Sequence, residues 1–450
     1  MFKRTVIEDL GKWAGKKNRK PLVIRGARQV GKTTVVNQFA EQFEQYIYLN
    51  LELPAERKPF ENFKDLDTLV QSVFFLKGKE LSKRKTTLLF IDEIQEVPEA
   101  FNILRFFKEE MPELAVIAAG SLLETIFNNK LSFPVGRVEF LIIRPVSFME
   151  FLQAIGESSA MEEMRYIPLK SFAHGKLLTL FHTYALIGGM PEIVKAYAET
   201  KDLTSLSSIY DSLISSYIDD VEKYASSNSQ TQIIRHVIKA SYSEAGKRIK
   251  FQRFGKSEYG SKEVGEALRT LEKAFLLSLI YPTTSPKLPI IPELQKSPRL
   301  HLLDTGLMNY AAGLQKEIIG TTDLNSVYQG TVIEHLSGQE LLADNHTALG
   351  ALSFWVREKT TSEAEVDYVV AHENNLIPIE VKSGKTGKLK SLHLFMDQSP
   401  GNIAVRLYAG ELSVTKVRTP VGKKYDLLNL PYYLISQLPH YIDWVQKDSI

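Results

Sequence analysis

Eight residues near the start of the chain have the composition of an anion cradle. Gly26-Ala27-Arg28-Gln29-Val30-Gly31-Lys32-Thr33 satisfies G-x-x-x-x-G-K-[ST] in full. The glycines let backbone N–H groups turn inward around phosphate oxygens, and the helix expected from Thr33 and Thr34 onward adds its positive end. Lys32 is placed to bridge the β- and γ-phosphates, and the Thr33 hydroxyl to bind Mg²⁺. A second segment, LLFIDEIQE at 88–96, supplies the acids such a cradle needs. Asp92 at the tip of a buried strand is a Mg²⁺ ligand, direct or through water, and Glu93 is the residue to polarise an attacking water.

Two further residues are candidates with open alternatives. Ser121, after the apolar run LAVIAAG, either contacts the γ-phosphate or water, or caps the helix SLLETIF. Arg137 is either an arginine finger, from the same or a neighbouring subunit, or a surface charge. No N-K-x-D tetrapeptide for guanine is present, so adenine is the expected base and ATP with Mg²⁺ the expected cofactor pair.

A second constellation lies near the C-terminus. AEVDYVVAHENNLIPIEVK at 364–382 reads as two strands around an Asn-containing turn, with Glu365, Asp367 and Val369 on one face. A turn between Glu373 and Asn374 sets Asp367 opposite Glu380, and two such acids repel unless a cation sits between them. With Lys382 beside them, this is the D…E-x-K arrangement of metal-dependent phosphodiesterases, and Glu334 on the preceding helix is a further candidate ligand.

The elements that must position these groups follow from pattern. Up to about residue 155, short apolar strands alternate with helical stretches, which predicts a parallel α/β sheet. Residues 160–280 are mostly helical in period, and from about 325 a new α/β segment begins. The proline-rich run 282–298 reads as a break or an extended hairpin. The overall expectation is α/β. A nucleotide-binding unit occupies 1–200, a helical region 201–298, and a nuclease-like α/β unit 299–450. Composition agrees: 450 residues, 44% hydrophobic and 24% charged, exclude a disordered or fibrous chain. The net charge of +2 leaves nucleic-acid binding to local patches. The chain has no cysteine, which excludes disulfides, thiolate zinc sites and cysteine nucleophiles. No secretory signal and no stretch of about 18 apolar residues is present, so a cytoplasmic protein without a membrane partner is expected.

Taken together, RGARQVGKTT, LLFIDEIQEVP, AAGSLLE, VGRVEFLIIRPVSFMEFL, LIGGMPEIV, YIDDV, LHLLDTGLMNY and EVDYVV…IPIEVKSG resemble, in order, the prokaryotic AAA-type (P-loop) ATPases that carry a C-terminal domain of unknown function with a PD-(D/E)xK nuclease-like core. The resemblance covers nearly the whole chain. It implies an ATPase core, a middle region with winged-helix character and a restriction-endonuclease-like C-terminal fold. Ser121 stands alone where relatives often carry a Ser-Ser pair. In the middle region Lys247, Arg248, Lys250, Arg253 and Lys256, with Phe251 and Phe254 interleaved, form a patch suited to phosphate backbones. The expectation is an ATP-driven switch whose C-terminal domain binds DNA. The alternative is an ATP-gated module for a protein partner on a degenerate nuclease scaffold. Monomer and oligomer both fit.

Overall fold

The computed structural model describes residues 2–120, 136–220, 225, 227–319, 330–343, 345–347, 350–359, 362–382 and 389–448. Strands β1 (Leu22–Arg25), β2 (Gln45–Asn50), β3 (Thr87–Asp92), β4 (Ala115–Ala119) and β5 (Glu139–Ile142) form one parallel sheet in the order β2-β3-β4-β1-β5. A parallel sheet is covered on both faces, so its strands are apolar at successive positions. In β3, Leu88 and Phe90 pack into one core and Leu89 and Ile91 into another. The helices Val6–Ala14 and Lys32–Ala40 contribute to the first core, Leu66–Leu76 and Pro98–Glu110 to the second.

The helices Phe148–Ala154, His174–Ile187, Pro191–Thr200 and Ser207–Asp219 follow the sheet. Next come the packed helices Asn228–Glu244 and Ser261–Lys273, then an antiparallel pair of β6 (Leu277–Ile280) and β8 (Arg299–Leu302). Two helices and a strand pair in this order have winged-helix character. A division at 298/299 therefore cuts through the unit, because β8 is the partner of β6 and supplies Leu300 and Leu302 to the core beside Leu268 and Leu271.

The C-terminal region holds two sheets. In the first, β7 (Pro282–Thr283), β9 (Phe354–Lys359) and β10 (Ser362–Val366) run in the order β10-β9-β7. In the second, β11 (Tyr368–His372), β12 (Asn375–Val381), β13 (Ile403–Tyr408), β14 (Ser413–Arg418) and β15 (Lys424–Pro431) run in the order β11-β12-β13-β15-β14. β12, β13 and β15 are parallel, and the edge strands β11 and β14 are antiparallel to their neighbours. The segment 364–372 is thus not one strand as its alternation predicts. The chain leaves the first sheet at Val366 and enters the second at Tyr368, with Asp367 at the crossing. The helix Lys390–Met396 covers one face of the second sheet through Leu392, Phe395 and Met396.

One core runs through all of these regions, from Val6 through Phe148, Leu268 and Leu336 to Val445. Polar contacts follow it. Glu340 accepts from the Phe148 N–H (3.0 Å) and the Tyr184 hydroxyl (2.8 Å). The Ile142 N–H of edge strand β5 donates to the His346 carbonyl (3.0 Å), which closes that edge. Asp304 caps the helix Thr305–Ala311 by accepting from Leu307 N–H (3.0 Å) and also accepts from Gly189 N–H (2.6 Å). The backbones of LIGGMPE and LLDTGL touch there. A Cβ on Gly306 would lie 2.0 Å from the Ile187 carbonyl oxygen, and one on Gly188 would lie 2.3 Å from Asp304 Oδ1. Among the described residues no helix is long and apolar enough to cross a membrane.

Candidate functional site

The strand β1 ends at Arg25, and the chain turns through Gly26 (φ 145°), Gln29 (φ 63°) and Gly31 (φ 92°) into the helix Lys32–Ala40. A Cβ at Gly26 would sit 2.4 Å from the Ile143 carbonyl oxygen, so the first position of the loop admits glycine alone. The Lys32 side chain is buried and its Nζ donates to the carbonyls of Gly26 (3.1 Å) and Ala27 (2.8 Å). Burial pulls its pKa down to about 8, with Arg28 pushing the same way and Glu93 and Asp92 opposing.

β3 is separated from β1 by β4, yet the tip of β3 reaches the loop. Thr33 Oγ1 donates to Asp92 Oδ2 at 2.6 Å, and Tyr48 OH donates to the same oxygen at 3.4 Å. Asp92 is buried, and that burial raises its pKa although Thr33 works against it. Glu93 has left-handed backbone (φ 51°), its N–H donates to Asp92 Oδ1 (3.0 Å), and its carboxylate accepts from the Gln95 side chain. A hydroxyl and a carboxylate held together beside a buried ammonium are the donor set for Mg²⁺ on a polyphosphate.

The cleft around these residues has a volume of about 660 Å³. Gln29, Gly31, Lys32, Thr33, Thr34 and Glu93 form its floor; Phe2, Arg4, Glu52, Pro191, Glu192, Lys195 and Ser216 form its walls. The walls were not readable from spacing, because they come from the N-terminus, from the turn after β2 and from the helices Pro191–Thr200 and Ser207–Asp219. Arg4 is buried, bonds the carbonyls of Val30 (3.2 Å) and Arg144 (2.8 Å), and pairs with Glu150 (2.9 Å). Arg28 pairs with Asp220, and Tyr217 OH donates to the Arg28 carbonyl (3.0 Å). Ala27 and Val30 are buried in the core and act through their backbone.

Arg137 lies at the other end of the sheet. It precedes β5, whose Glu139 is level with Leu22 at the start of β1, whereas the loop follows the end of β1. Its Nε pairs with Glu109 at 2.7 Å. A finger reaching this chain's own phosphate site is therefore ruled out by the direction of the strands. Ser121 lies outside the described residues.

At the C-terminus, the register Tyr368↔Ile379 places Asp367 at the step facing Glu380. Asp367 Oδ2 accepts from the Val381 N–H (2.7 Å), and Lys382 Nζ pairs with Glu380 Oε1 (2.7 Å). Glu380 is buried, and its Oε2 has no hydrogen-bond partner among the described residues. The sequence reading missed the buried Arg299 of β8. Its guanidinium pairs with both Glu334 and Glu365 and donates to the Asp367 carbonyl (2.9 Å). It lies over the Phe354 ring at 4.5 Å. Burial lifts Glu334, Asp367 and Glu380 above the ordinary carboxylate range, and repulsion from neighbouring acids, Glu365 among them, adds to it. The only set of three acid or histidine ligand atoms within 4.8 Å of one another among the described residues is elsewhere, at His372, Glu373 and Asp443.

The basic patch of the middle region is smaller than its sequence suggests. Lys247 pairs with Glu244 (3.7 Å), Arg248 with Glu358 (2.8 Å), and Phe254 is buried. Lys250, Arg253 and Lys256 are exposed, and Arg253 and Lys256 both have left-handed backbone.

Comparison with known proteins bears on the cleft first. Residues 18–152 match an AAA domain. The AAA domain contains the whole loop from Gly26 to Thr34, together with Asp92 and Glu93. Two further segments match domains of unknown function, DUF8612 over 178–318 and DUF4143 over 329–432. None of the curated proteins compared matches the chain. Among solved structures, a Walker-type ATPase of Pyrococcus abyssi is similar at 13% identity and a TM-score of 0.45, over 69% of this chain and 96% of that one. The Aeropyrum pernix ORC1 protein in complex with DNA has 11% identity and a TM-score of 0.28, over 68% and 90%. The Thermotoga maritima RuvB Holliday junction branch migration motor has 13% identity and a TM-score of 0.26, over 65% and 93%. Likenesses this slight carry no argument about the present chain.

Proposed function

We propose that the AAA domain binds ATP with Mg²⁺ and hydrolyses it. The observation that carries the proposal is the Thr33–Asp92 contact of 2.6 Å, made across an intervening strand and beside buried Lys32. Loop N–H groups from Gly26 to Thr34 surround the phosphates, and Lys32 exchanges its loop carbonyls for phosphate oxygens. Thr33 and Asp92 would hold the Mg²⁺, which would supply counter-charge for the transferred group. Glu93 orients the attacking water once its carboxylate leaves Gln95. Phe2 and Pro191 offer apolar surface to the base.

The cycle is proposed to act on DNA. Lys250, Arg253 and Lys256 form an exposed basic turn without acid partners among the described residues, suited to a phosphate backbone. The C-terminal domain is proposed to be nuclease-like. Asp367 and Glu380 would supply donors for a divalent cation, Glu380 Oε2 having no hydrogen-bond partner among the described residues, and Lys382 stands beside them. A cation held there would supply an activated water for phosphodiester cleavage. Arg299 favours a second reading, in which the domain is a scaffold that gates a protein partner: its guanidinium already holds Glu334 and Glu365.

Turnover of ATP with and without duplex or single-stranded DNA tests the first reading. Stimulation by DNA supports it, and an absence of hydrolysis in both ends it. Mn²⁺-dependent nicking that disappears in Asp367→Ala supports the nuclease; nicking that is the same in both proteins, or absent from both, supports the scaffold.

A further inference from the structure

The segment Tyr217–Asp220 stands in the resemblance motif YIDDV, and the chemistry above gives it no work. Its place in the fold does. Tyr217 and Asp220 are 3% and 8% exposed, at the end of the helix Ser207–Asp219, and both are turned to the phosphate loop. Arg28 Nη1 lies 2.7 Å from Asp220 Oδ1 and 2.5 Å from Oδ2. The Tyr217 hydroxyl holds the Arg28 carbonyl at 3.0 Å. One residue of the loop is thus fixed by backbone to Tyr217 and by side chain to Asp220, and Ser216 on the same turn lines the cleft. Arg28 also lines the cleft with Lys32 and is near enough to depress that ammonium.

A guanidinium fork fits a phosphate as well as it fits a carboxylate. The outer phosphates of ATP bring more charge to the cleft than the single carboxylate of Asp220. We propose that Arg28 and Asp220 form a phosphate-responsive clasp: ATP draws the guanidinium from Asp220 and so loosens the residues after Tyr217 at the end of the helix Ser207–Asp219, whereas a nucleoside monophosphate does not. Tyr217 keeps the loop backbone in place while the side chain swings. Arg28 is then a second cation on the outer phosphates beside Lys32, and Asp220 is its positioning partner. This rests on the nucleotide reading and adds what the bound nucleotide changes.

The test is a binding cycle with fluorescent N-methylanthraniloyl ATP and AMP on the full chain, using wild type, Asp220→Asn, Arg28→Ala and the double variant. Asp220→Asn is expected to bind ATP about tenfold tighter, about 1.4 kcal/mol, and AMP unchanged. Arg28→Ala is expected to bind ATP about tenfold weaker, and Asp220→Asn to bring no gain in that background. A gain that persists without Arg28, an equal gain for AMP, or no gain overturns the clasp. The chain has no cysteine, so a nitroxide on Asp219→Cys reports the helix end without other labelling, whether or not Asp220→Asn folds. Its mobility is expected to rise with saturating ATP and not with AMP; an unchanged spectrum with ATP bound overturns the clasp. Wild type that binds neither nucleotide overturns the nucleotide reading itself, whereas wild type that binds ATP indistinguishably from Asp220→Asn overturns the clasp alone.

Discussion

The phosphate cleft and the C-terminal acid cluster are both places where charge is taken out of water, and they treat it in opposite ways. In the cleft the cations have replaceable partners: buried Lys32 rests on two carbonyls and half-buried Arg28 on one carboxylate. A phosphate can take the place of each partner. In the acid cluster the desolvated charges are carboxylates, and their cations are already part of the chain. Arg299 holds Glu334 and Glu365, and Lys382 holds Glu380. Removing a cation there exposes buried acids to one another, so the cluster resists exchange. A site built to exchange partners and a site built to keep them are distinguished by who supplies the counter-charge.

That contrast can be broken or sharpened by substitution. The largest effect is expected from Lys32→Ala, which removes the exchangeable ammonium; ATP affinity should fall by about 100-fold or more, read by fluorescent nucleotide titration. Glu93→Gln should keep the affinity and lower turnover by roughly 100-fold or more, read by phosphate release. Turnover like that of wild type in Glu93→Gln would remove Glu93 from the chemistry. In the acid cluster, Arg299→Gln should destabilise the fold by about 3–5 kcal/mol, read by denaturant titration. The loss should shrink as pH falls, because Glu334 and its neighbours, already raised by burial, take protons in place of the lost cation. A pH-independent loss would mean that packing on Phe354, not charge, is what Arg299 provides.

A smaller effect comes from pH alone. Lys32 has its pKa lowered to about 8 by burial, and a bound triphosphate favours its charged form. Binding above pH 8 must therefore take up a proton, so ATP affinity should fall by up to about tenfold per pH unit there and stay level below. Calorimetry in buffers of different ionisation enthalpy reads that uptake directly.

The cleft's floor was legible because a phosphate loop is local: glycine spacing, strand and helix lie within a few residues of one another, and Gly26 and Gly31 have the backbone angles the motif needs. Asp92 was legible from the apolar run before it. The walls were not, because Arg4, Glu192, Lys195 and Ser216 come from separate elements and no spacing links them to the loop. The facing of Asp367 and Glu380 follows from counting back from the turn, and the register Tyr368↔Ile379 agrees with it. The break at Asp367 could not be counted, since alternation runs through Glu365, Asp367 and Val369 without a pause. Arg299 escaped for a related reason. It stands on β8, beyond a proline-rich run that suggests a boundary, although the chain returns from that run to pair with β6.

The contact of Gly188 with Gly306 is also a test of how the molecule is assembled. Adding one methyl group at Gly306 should cost about 3 kcal/mol, read as a lowered melting midpoint, because the Ile187 carbonyl oxygen occupies that space. The shift should appear equally in fluorescence from any part of the chain.

The unbroken apolar interior from Val6 to Val445 has a consequence for dissection. Excising the AAA segment, or either of the two segments after it, strips a greasy flank from each piece. Such fragments would aggregate rather than report on parts. Heating the intact polypeptide should therefore give a single calorimetric peak, its subregions melting in unison as one thermodynamic body.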